Sequence, residues 1–408
     1  MSLRLHATLV AAVLLSVPVP AHALPRFAAR NGAECILCHV NPTGGGIRNA
    51  YGRNVFARTL LPWSARRPTF DSWLADDLLA DERKAAGGRD RTVAFSPDLT
   101  DWLAVGADAR VGYFLSRPDS APRSQLRSKL FLMHADLYLA ATVNEHAVLV
   151  FDYGPRPGGP EMWALLTRSP TPRRFDLMLK LGWFRPPFGV REAEHQLFTR
   201  EGVGFGVGPL DDHDAGIELT AYAGPLALHV ALLDGGGDKL FDETGALAGR
   251  LALRARLGRL KAQVGGSFYG LRGIKKKNPL FGGAEVDPGL DELRAGAFLT
   301  ASLGRFTYLA DLVYVRDDFY GPALPARHGY ASYQELSFVP AQGLDLIATL
   351  EFKDPDLEVL RNATLRAGLV TELHPWPSVE LRAMVRRTRG DDAAAAGWDL
   401  VVLAHLFM

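Results

Sequence analysis

The sequence lacks several features that would place it in a common class of proteins. It has only two cysteines in 408 residues, which excludes a disulfide scaffold. Its formal net charge is +1, so no excess of either sign indicates a nucleic-acid partner or an acidic disordered tail. Beyond the N-terminal 23 residues, no apolar run reaches the roughly 18 residues of a membrane-spanning helix.

The N-terminus has the three parts of a secretory signal peptide. Arg4 supplies the positive charge, Ala7–Val17 is apolar, and Ala21-His22-Ala23 is a small-residue cleavage site. The apolar run is shorter than the roughly 20 residues that a helix needs to cross a bilayer. We therefore expect residues 1–23 to be a signal peptide and the mature chain to begin at Leu24.

Both cysteines lie in one motif, Cys35-Ile-Leu-Cys38-His39. Two thiols at this spacing can add to the two vinyl groups of a haem, and the histidine that follows reaches the iron from the same face. A structural zinc site needs four N or S ligands, but the next histidine is His134. A redox dithiol or a disulfide leaves His39 without a role. The motif predicts one covalent c-type haem, with Cys35 and Cys38 as anchors and His39 as iron ligand.

Residues 24–62 fit a small monohaem cytochrome c module around this motif. A short helix that ends at Gly32 precedes it, and the Pro- and Gly-rich stretch Asn41–Gly46 must be a loop. A helical pattern then resumes over Asn49–Arg58, where Tyr51 and Phe56 either pack against the haem or fill the module's core. Residues 63–98 are expected to form a linker or a plug, with one helix over Phe70–Ala80.

The module has no second iron ligand of its own, because His39 is its only histidine and it contains no methionine. The sixth position is therefore open, weakly occupied or filled from the rest of the chain. Candidate distal ligands are His195, His134, His229 and Met178. For each, a hydrogen-bonded residue of the wall is the alternative interpretation.

From about residue 99 to the end, apolar and polar residues alternate with a period of two. About sixteen such segments occur, an even number, as in single-chain outer-membrane barrels. In one segment Phe131, Met133 and Leu137 are expected on the same face. Long and short connections alternate along the chain, which favours a barrel with long outer loops and tight periplasmic turns over a soluble sandwich. The sequence therefore predicts an all-β, antiparallel outer-membrane barrel over residues 99–408.

Charged residues within the segments predict a polar lumen. The cations of this lumen either form a path for anions or balance its acidic residues. The cations are Arg250, Arg254, Arg256 and Lys261, and the acidic residues are Asp136, Asp176, Glu218 and Asp311. Acidic clusters at residues 211–214 and at Asp317-Asp318 are expected in outer loops. There Fe²⁺ or another cation could dock, with solvated loop charge as the alternative.

The two halves together resemble the outer-membrane fused cytochrome–porin family, which includes iron oxidases. The resemblance rests on Pro25–Gly32, the Cys35–His39 motif and Tyr51-Gly-Arg53, followed by a porin-like barrel. The strand end Gly182–Gly189 is similar to that of anion-type porins, and an aromatic near the C-terminus, Phe407, resembles the terminal signal of such barrels. The iron oxidases carry Trp-Pro soon after the haem histidine, whereas this chain has Val-Asn-Pro there.

The resemblance implies that the haem module plugs or enters the barrel in the outer membrane of a Gram-negative bacterium. Electrons would pass from an extracellular donor, with Fe(II) as one candidate, to a periplasmic carrier such as a soluble cytochrome. Fe(II) oxidation would be the corresponding enzymatic activity. Two alternatives stay open: a porin for small or anionic solutes whose haem-bearing plug gates or senses, and a tethered partner of a larger periplasmic cytochrome chain.

Overall fold

Sixteen antiparallel strands close into one barrel within the residues that the computed structural model describes. These residues are 25–32, 34–49, 51–65, 102–119, 126–154, 160–168, 175–191, 196–201, 213–235, 245–274, 290–319, 326–390 and 396–407. Each strand pairs with its neighbours in sequence, and β1 pairs with β16 to close the wall. The strands are β1 (Leu103–Pro118), β2 (Arg127–Asn144), β3 (Ala147–Tyr153), β4 (Glu161–Thr167), β5 (Phe175–Phe184), β6 (Asp214–Ala223), β7 (Leu226–Leu233), β8 (Gly245–Leu257), β9 (Leu260–Ile274), β10 (Leu290–Leu303), β11 (Phe306–Phe319), β12 (Arg327–Ala341), β13 (Leu344–Asp354), β14 (Thr364–Leu373), β15 (Val379–Gly390) and β16 (Gly397–Phe407).

The two faces of the wall differ in polarity. In β7, Leu228 and Leu232 are exposed on the outside, whereas His229 and Ala231 are buried on the inside. This alternation follows from the period of two along a strand, and an apolar exterior with a polar interior is suited to lipid outside and a polar lumen inside. The predicted all-β barrel of outer-membrane type is confirmed.

Strand β2 departs from the predicted alternation. Its register with β1 shifts between Arg110 and Val111. Beyond this shift Leu132 is 49% exposed on the outside, whereas Phe131 and Met133 pack into a cluster of buried residues. A bulge adds one residue to a strand and thereby reverses the faces of the residues beyond it. The expectation that Phe131 and Met133 share the outer face with Leu137 is therefore wrong.

The connections differ in length between the two ends of the barrel. At the end where β1 begins and β16 finishes, the connections include tight turns at residues 145–146, 224–225 and 258–259. At the opposite end they include the long segments 185–213 and 275–289. Because outer-membrane barrels have short periplasmic turns, the end with the tight turns is the periplasmic one.

In the part of the chain that the structure describes, four short helical segments precede the barrel. They are helix α1 (Pro25–Asn31), a 3₁₀ helix at Cys35–Leu37, a π-helix at Tyr51–Leu60 and a 3₁₀ helix at Trp63–Ala65. No helix among the described residues is both long and apolar enough to cross a bilayer. The predicted signal peptide 1–23 and residues 66–98 of the predicted linker, including its helix, lie outside the described residues.

Candidate functional site inside the barrel

The segment 25–65, called the N-terminal module from here on, lies inside the barrel. Helix α1 packs against β9, β10 and β11. It ends as predicted at Gly32, whose φ of +68° is the left-handed conformation that glycine adopts after a helix. At the other end of the module, the amide of Trp63 donates to the carbonyl of His374 in the β14–β15 turn, at 2.7 Å. The module therefore reaches the periplasmic rim at this point.

The predicted haem motif forms a compact turn. The amides of Cys38 and His39 both donate to the carbonyl of Cys35, at 3.2 and 3.1 Å. Neither cysteine is in a disulfide. The Nδ1 atom of His39 lies 3.3 Å from the carbonyl oxygen of Gly46. If Nδ1 carries the proton of this hydrogen bond, Nε2 is left as the nitrogen available to a metal.

Asn49 holds this turn in place, a role that the sequence interpretation missed. Its side-chain amide donates to the carbonyls of Ile36 and Leu37, at 2.9 and 2.7 Å. Its amide oxygen accepts from the backbone of Gly52 at 2.9 Å, as an N-cap does. The signal was present, because asparagine is a preferred residue at the start of a helix.

Gly44 allows the Pro- and Gly-rich loop to pass close to the first thiol. Its φ is +85°, and a Cβ atom at this position would lie 3.0 Å from Sγ of Cys35. A side chain would therefore be both conformationally strained and in collision with the sulfur. The loop forms a cradle around Cys35 that depends on this glycine.

Burial determines the protonation states of His39 and Cys35 in the motif. Burial, with the nearby Arg48 guanidinium as the second cause, lowers the pKa of His39 from 6.5 to about 3. The imidazole is therefore neutral at physiological pH, which is the form that ligates iron. Burial, reinforced by Glu34, raises the pKa of the Cys35 thiol from 9.0 to about 11. In this structure that thiol is protonated.

Ion pairs between buried side chains attach helix α1 to the barrel wall. Arg26 pairs with Glu335 and Glu372, each at 2.9 Å. Arg30 pairs with Asp345, and the two side chains are 4% and 3% exposed. Helix α1 is thus held by charge complementarity on β12, β13 and β14.

The loop of the module is attached to the opposite wall. The side-chain oxygen of Asn41 accepts from Nζ of Lys180 in β5, at 3.3 Å. Thr43 accepts from Arg191 at 3.3 Å, and Arg191 pairs with Glu161 of β4 at 2.7 Å. Together with the α1 ion pairs, these contacts fix the module across the width of the lumen.

Apolar contacts complete the docking. Ile36, Val40 and Ile47 belong to one buried cluster with side chains of the wall. Phe27 packs with Phe407 of the last strand in another cluster. Phe407 therefore faces the lumen and the module.

The two aromatic residues predicted to pack on a haem lie in the module's interior. Tyr51 is in a cluster with Leu37, Cys38 and Leu60. Phe56 borders that cluster and lies 5.3 Å from the ring centroid of Phe27. Both residues fill the core of the module, and their proximity to Cys38 leaves the haem-packing interpretation open.

The segment after β5, expected as an outer loop, folds into the lumen instead. The amide of Val190 donates to Asp311 at 3.2 Å, and Arg250 donates to the carbonyl of Gly189 at 3.0 Å. Further along, the amide of Phe198 in helix α2 (Phe198–Glu201) donates to Glu351 at 3.1 Å. Buried wall charges that need partners draw the described parts of this loop inward, so the expectation of an outward loop is wrong for them.

A small cavity of about 40 Å³ lies between the module and this inward loop. Its lining includes Cys35 and Glu34 from the module, Phe188 and Arg191 from the loop, and Arg250 from the wall. The cavity thus joins a thiol, an apolar surface and guanidinium groups. The thiols of Cys35 and Cys38 and the imidazole of His39 are the donor set that covalent attachment of a haem requires. The cavity is smaller than a porphyrin, so the inward loop would have to move aside to admit one.

The candidate distal ligands have different surroundings in the structure. His229 lies 3.0 Å from Thr220 Oγ1 and 3.3 Å from Glu218, as a hydrogen-bonded wall residue. Met178 is buried in an apolar cluster. His195 and the side chain of His134 lie outside the described residues.

Three of the four predicted lumen cations contact the module or the inward loop. Arg254 pairs with Glu34 at 3.4 Å, and Lys261 donates to the carbonyl of Arg30 at 2.9 Å. Arg250 contacts the inward loop, and Arg256 bonds within its own turn. Of the acidic residues expected to balance them, Glu218 pairs instead with Lys180 at 2.6 Å.

The acidic clusters expected in solvated outer loops are mainly in the wall. Asp214 begins β6 and is 4% exposed, and His213 lies 3.2 Å from Glu161. Asp317 is in β11, is 3% exposed and pairs with Arg294 at 2.7 Å. Only Asp318 is partly exposed. Each buried carboxylate already has a cationic or backbone partner, so these positions are not sites in a loop where a cation docks. Asp211 and Asp212 lie outside the described residues.

Comparison with known proteins identifies the fold. No protein-family model matches the sequence, and no curated protein sequence matches it. The fold is similar to that of OmpT, an outer membrane protein of Vibrio cholerae, in a loop L8 deletion mutant (TM-score 0.52, 14% identity, 76% of this chain and 100% of that chain). It is also similar to OmpT expressed in the outer membrane (0.51, 13%, 77% and 100%). A third similar structure is OprB of Pseudomonas putida (0.52, 10%, 75% and 94%). The chain therefore has the barrel fold of Gram-negative outer-membrane proteins.

Proposed function

We propose that the protein is an electron-transfer protein of the outer membrane that holds one c-type haem inside its barrel. The observation that carries this proposal is that Cys35, Cys38 and His39 lie together in one compact turn of the module, which is inside the barrel. A haem bound there would supply a one-electron redox centre within a wall that otherwise insulates. Electrons would enter from an extracellular donor such as Fe²⁺ and leave to a periplasmic carrier such as a soluble cytochrome.

Each residue of the motif has a defined part in this proposal. Cys35 and Cys38 would hold the haem through two thioether bonds, each made by addition of a thiol to a vinyl group, and His39 would be the protein's iron ligand. The carbonyl of Gly46 orients the imidazole through Nδ1. Arg191 and Arg250 line the cavity beside Cys35 and would supply positive charge to the carboxylates of a bound porphyrin.

A haemochrome spectrum of the purified protein tests the cofactor. Denatured wild-type chain should retain haem, and Cys38→Ala should give the spectrum of a haem with one free vinyl group. His39→Ala should change the spectrum of the folded protein, whereas His146→Ala, in an exposed turn, should not. A chain without covalent haem, or an unchanged Cys38→Ala spectrum, would refute the assignment.

Liposomes test the electron path. External Fe²⁺ should reduce an acceptor enclosed with the wild-type protein, and the Cys35→Ser/Cys38→Ser variant should abolish this transfer. In control liposomes without protein, external Fe²⁺ must not reduce the enclosed acceptor. If the haem is present and no external donor reduces the acceptor, the transmembrane role is refuted while the haem assignment stands.

A second candidate function is a porin whose module acts as a plug. It is favoured by the way in which helix α1 is held, because Arg26 and Arg30 attach it by ion pairs that could release. In that case liposomes would swell in a small solute, and the swelling would increase when these ion pairs are removed. Solute passage without electron transfer would favour this function over the first.

A further inference from the structure

A group of acidic and imidazole side chains lies where the module meets the periplasmic end of the barrel. Glu372 is the second-last residue of β14 and His374 directly follows the strand, and both side chains are buried. Glu380 faces them from β15, which pairs with β14. One potential ligand atom from each of Glu372, His374 and Glu380 lies within 4.8 Å of the other two. We call these three residues the rim triad.

We propose that the rim triad is a binding site for a divalent first-row metal ion. Imidazole nitrogen and carboxylate oxygen are the donors that Zn²⁺ and Fe²⁺ accept together in proteins. With metal–ligand distances of about 2.1 Å, neighbouring donors are separated by roughly 3 to 3.5 Å. The donors of the rim triad are close enough to reach this spacing by rotations of their side chains.

His374 provides evidence that is independent of the acidic residues. It is 2% exposed, and its Nδ1 atom has no hydrogen-bond partner among the described residues. Its Nε2 atom lies 3.7 Å from Oε1 of Glu372, too far for a good hydrogen bond. A buried imidazole that is so poorly satisfied is unusual in proteins, and a metal ion would supply a bond to it.

The surroundings orient the two carboxylates. Nδ1 of His405 lies 2.7 Å from Oε2 of Glu380, and the other nitrogen of His405 lies 3.0 Å from Asp108. Arg26 of helix α1 contacts Glu372 at 2.9 Å. Each carboxylate is thus oriented by a side chain from another element, although Nη2 of Arg26 also lies 3.3 Å from Oε1 of Glu372. A metal ion between the two carboxylates would reduce their mutual repulsion in a buried site.

The position of the rim triad gives the metal a structural role. The carbonyl of His374 accepts from Trp63, where the module reaches the rim, and the His374 ring lies 6.1 Å from that of Phe27 in helix α1. A metal ion would join β14 to β15 directly beside both contacts. It would therefore fix the module to the barrel, independently of any haem.

Zinc titration by calorimetry tests this proposal on the full-length protein in detergent micelles. The titration is repeated in a Cys35→Ser/Cys38→Ser background, because free thiols also bind zinc and because the result then does not depend on the proposed haem. We expect saturable binding of about one Zn²⁺ per chain in both proteins. Glu380→Gln and His374→Gln should each weaken it at least tenfold, and the exposed-loop control Glu358→Gln should not.

The gel mobility of each variant before and after heating verifies that its barrel is folded. Absence of saturable zinc binding by the folded Cys-free protein would overturn the proposal. Binding that neither Glu380→Gln nor His374→Gln weakens would overturn it as well, since the zinc would then lie elsewhere. Either result leaves the haem assignment unaffected.

Discussion

The ion pair between Arg30 and Asp345 should determine how firmly the module is docked. Both side chains are almost fully buried, and Asp345 accepts hydrogen bonds from both terminal nitrogens of Arg30. Arg30 also donates to Ser337 and, at 3.3 Å, to Thr307. Removing one partner of such a pair leaves a buried charge without compensation, which costs about 3–5 kcal/mol.

We expect Arg30→Met and Asp345→Asn each to weaken docking by this amount. Converted at 1.4 kcal/mol per factor of ten, the open population of helix α1 should increase about 100- to 4,000-fold. The double variant carries neither charge and should lie within about 1–2 kcal/mol of wild type. The double variant should therefore be destabilised much less than the sum of the two single variants, and this difference is the central expectation.

Hydrogen exchange of the peptide that contains α1, followed by mass spectrometry in micelles, measures this opening. The matched control is Asp318→Asn, whose partner Arg316 is 46% exposed, so the change should cost less than about 1 kcal/mol. Single variants that alter α1 exchange by less than tenfold would refute the reasoning. A double variant as destabilised as the sum of the singles would refute it too.

Three other predictions concern the module and the wall. In haem-free Cys38→Ser protein, the pKa of about 11 at Cys35 should make its alkylation at pH 8 about 100-fold slower than in the denatured chain. Mass spectrometry measures both rates, and equal rates would contradict the burial of Cys35. Gly44→Ala should destabilise the module by about 1–3 kcal/mol in hydrogen exchange, whereas Gly224→Ala, also at positive φ but with nothing within 4 Å of the added Cβ, should not affect the module. Lys180→Met should leave Glu218, which is 0% exposed, without its cation and lower barrel stability by about 3–5 kcal/mol. If the shift in gel mobility on heating is the same for Lys180→Met as for the wild type, the predicted loss of stability is wrong.

The strands were predictable because a strand with lipid on one face must alternate. About sixteen alternating segments were predicted from residue 99 onward, and the described residues form sixteen strands between Leu103 and Phe407. The limit of this signal is visible in β2, where one extra residue near Met133 reverses the faces. A bulge changes a periodicity without any composition signal, so the pattern alone did not reveal it.

The candidate site was predictable only in its local part. Cys35, Cys38 and His39 follow one another closely, so the haem attachment proposed for them could be inferred from the sequence alone. The inward course of the segment after β5 depends on contacts with residues such as Asp311, more than 100 positions away. The rim triad lies on two strands, and its members meet only because of barrel register. Long-range pairing of this kind leaves no local pattern.

Enclosure of the module constrains the order of events during biogenesis. The wall is continuous once β1 pairs with β16, and Cys38 is then 3% exposed within it. An enzyme that attaches a group to these thiols cannot enter the lumen. Under the proposed function, attachment of a haem to residues 35–39 would therefore precede the pairing of the first and last strands, and the closed barrel would then shield the linkage from later exchange.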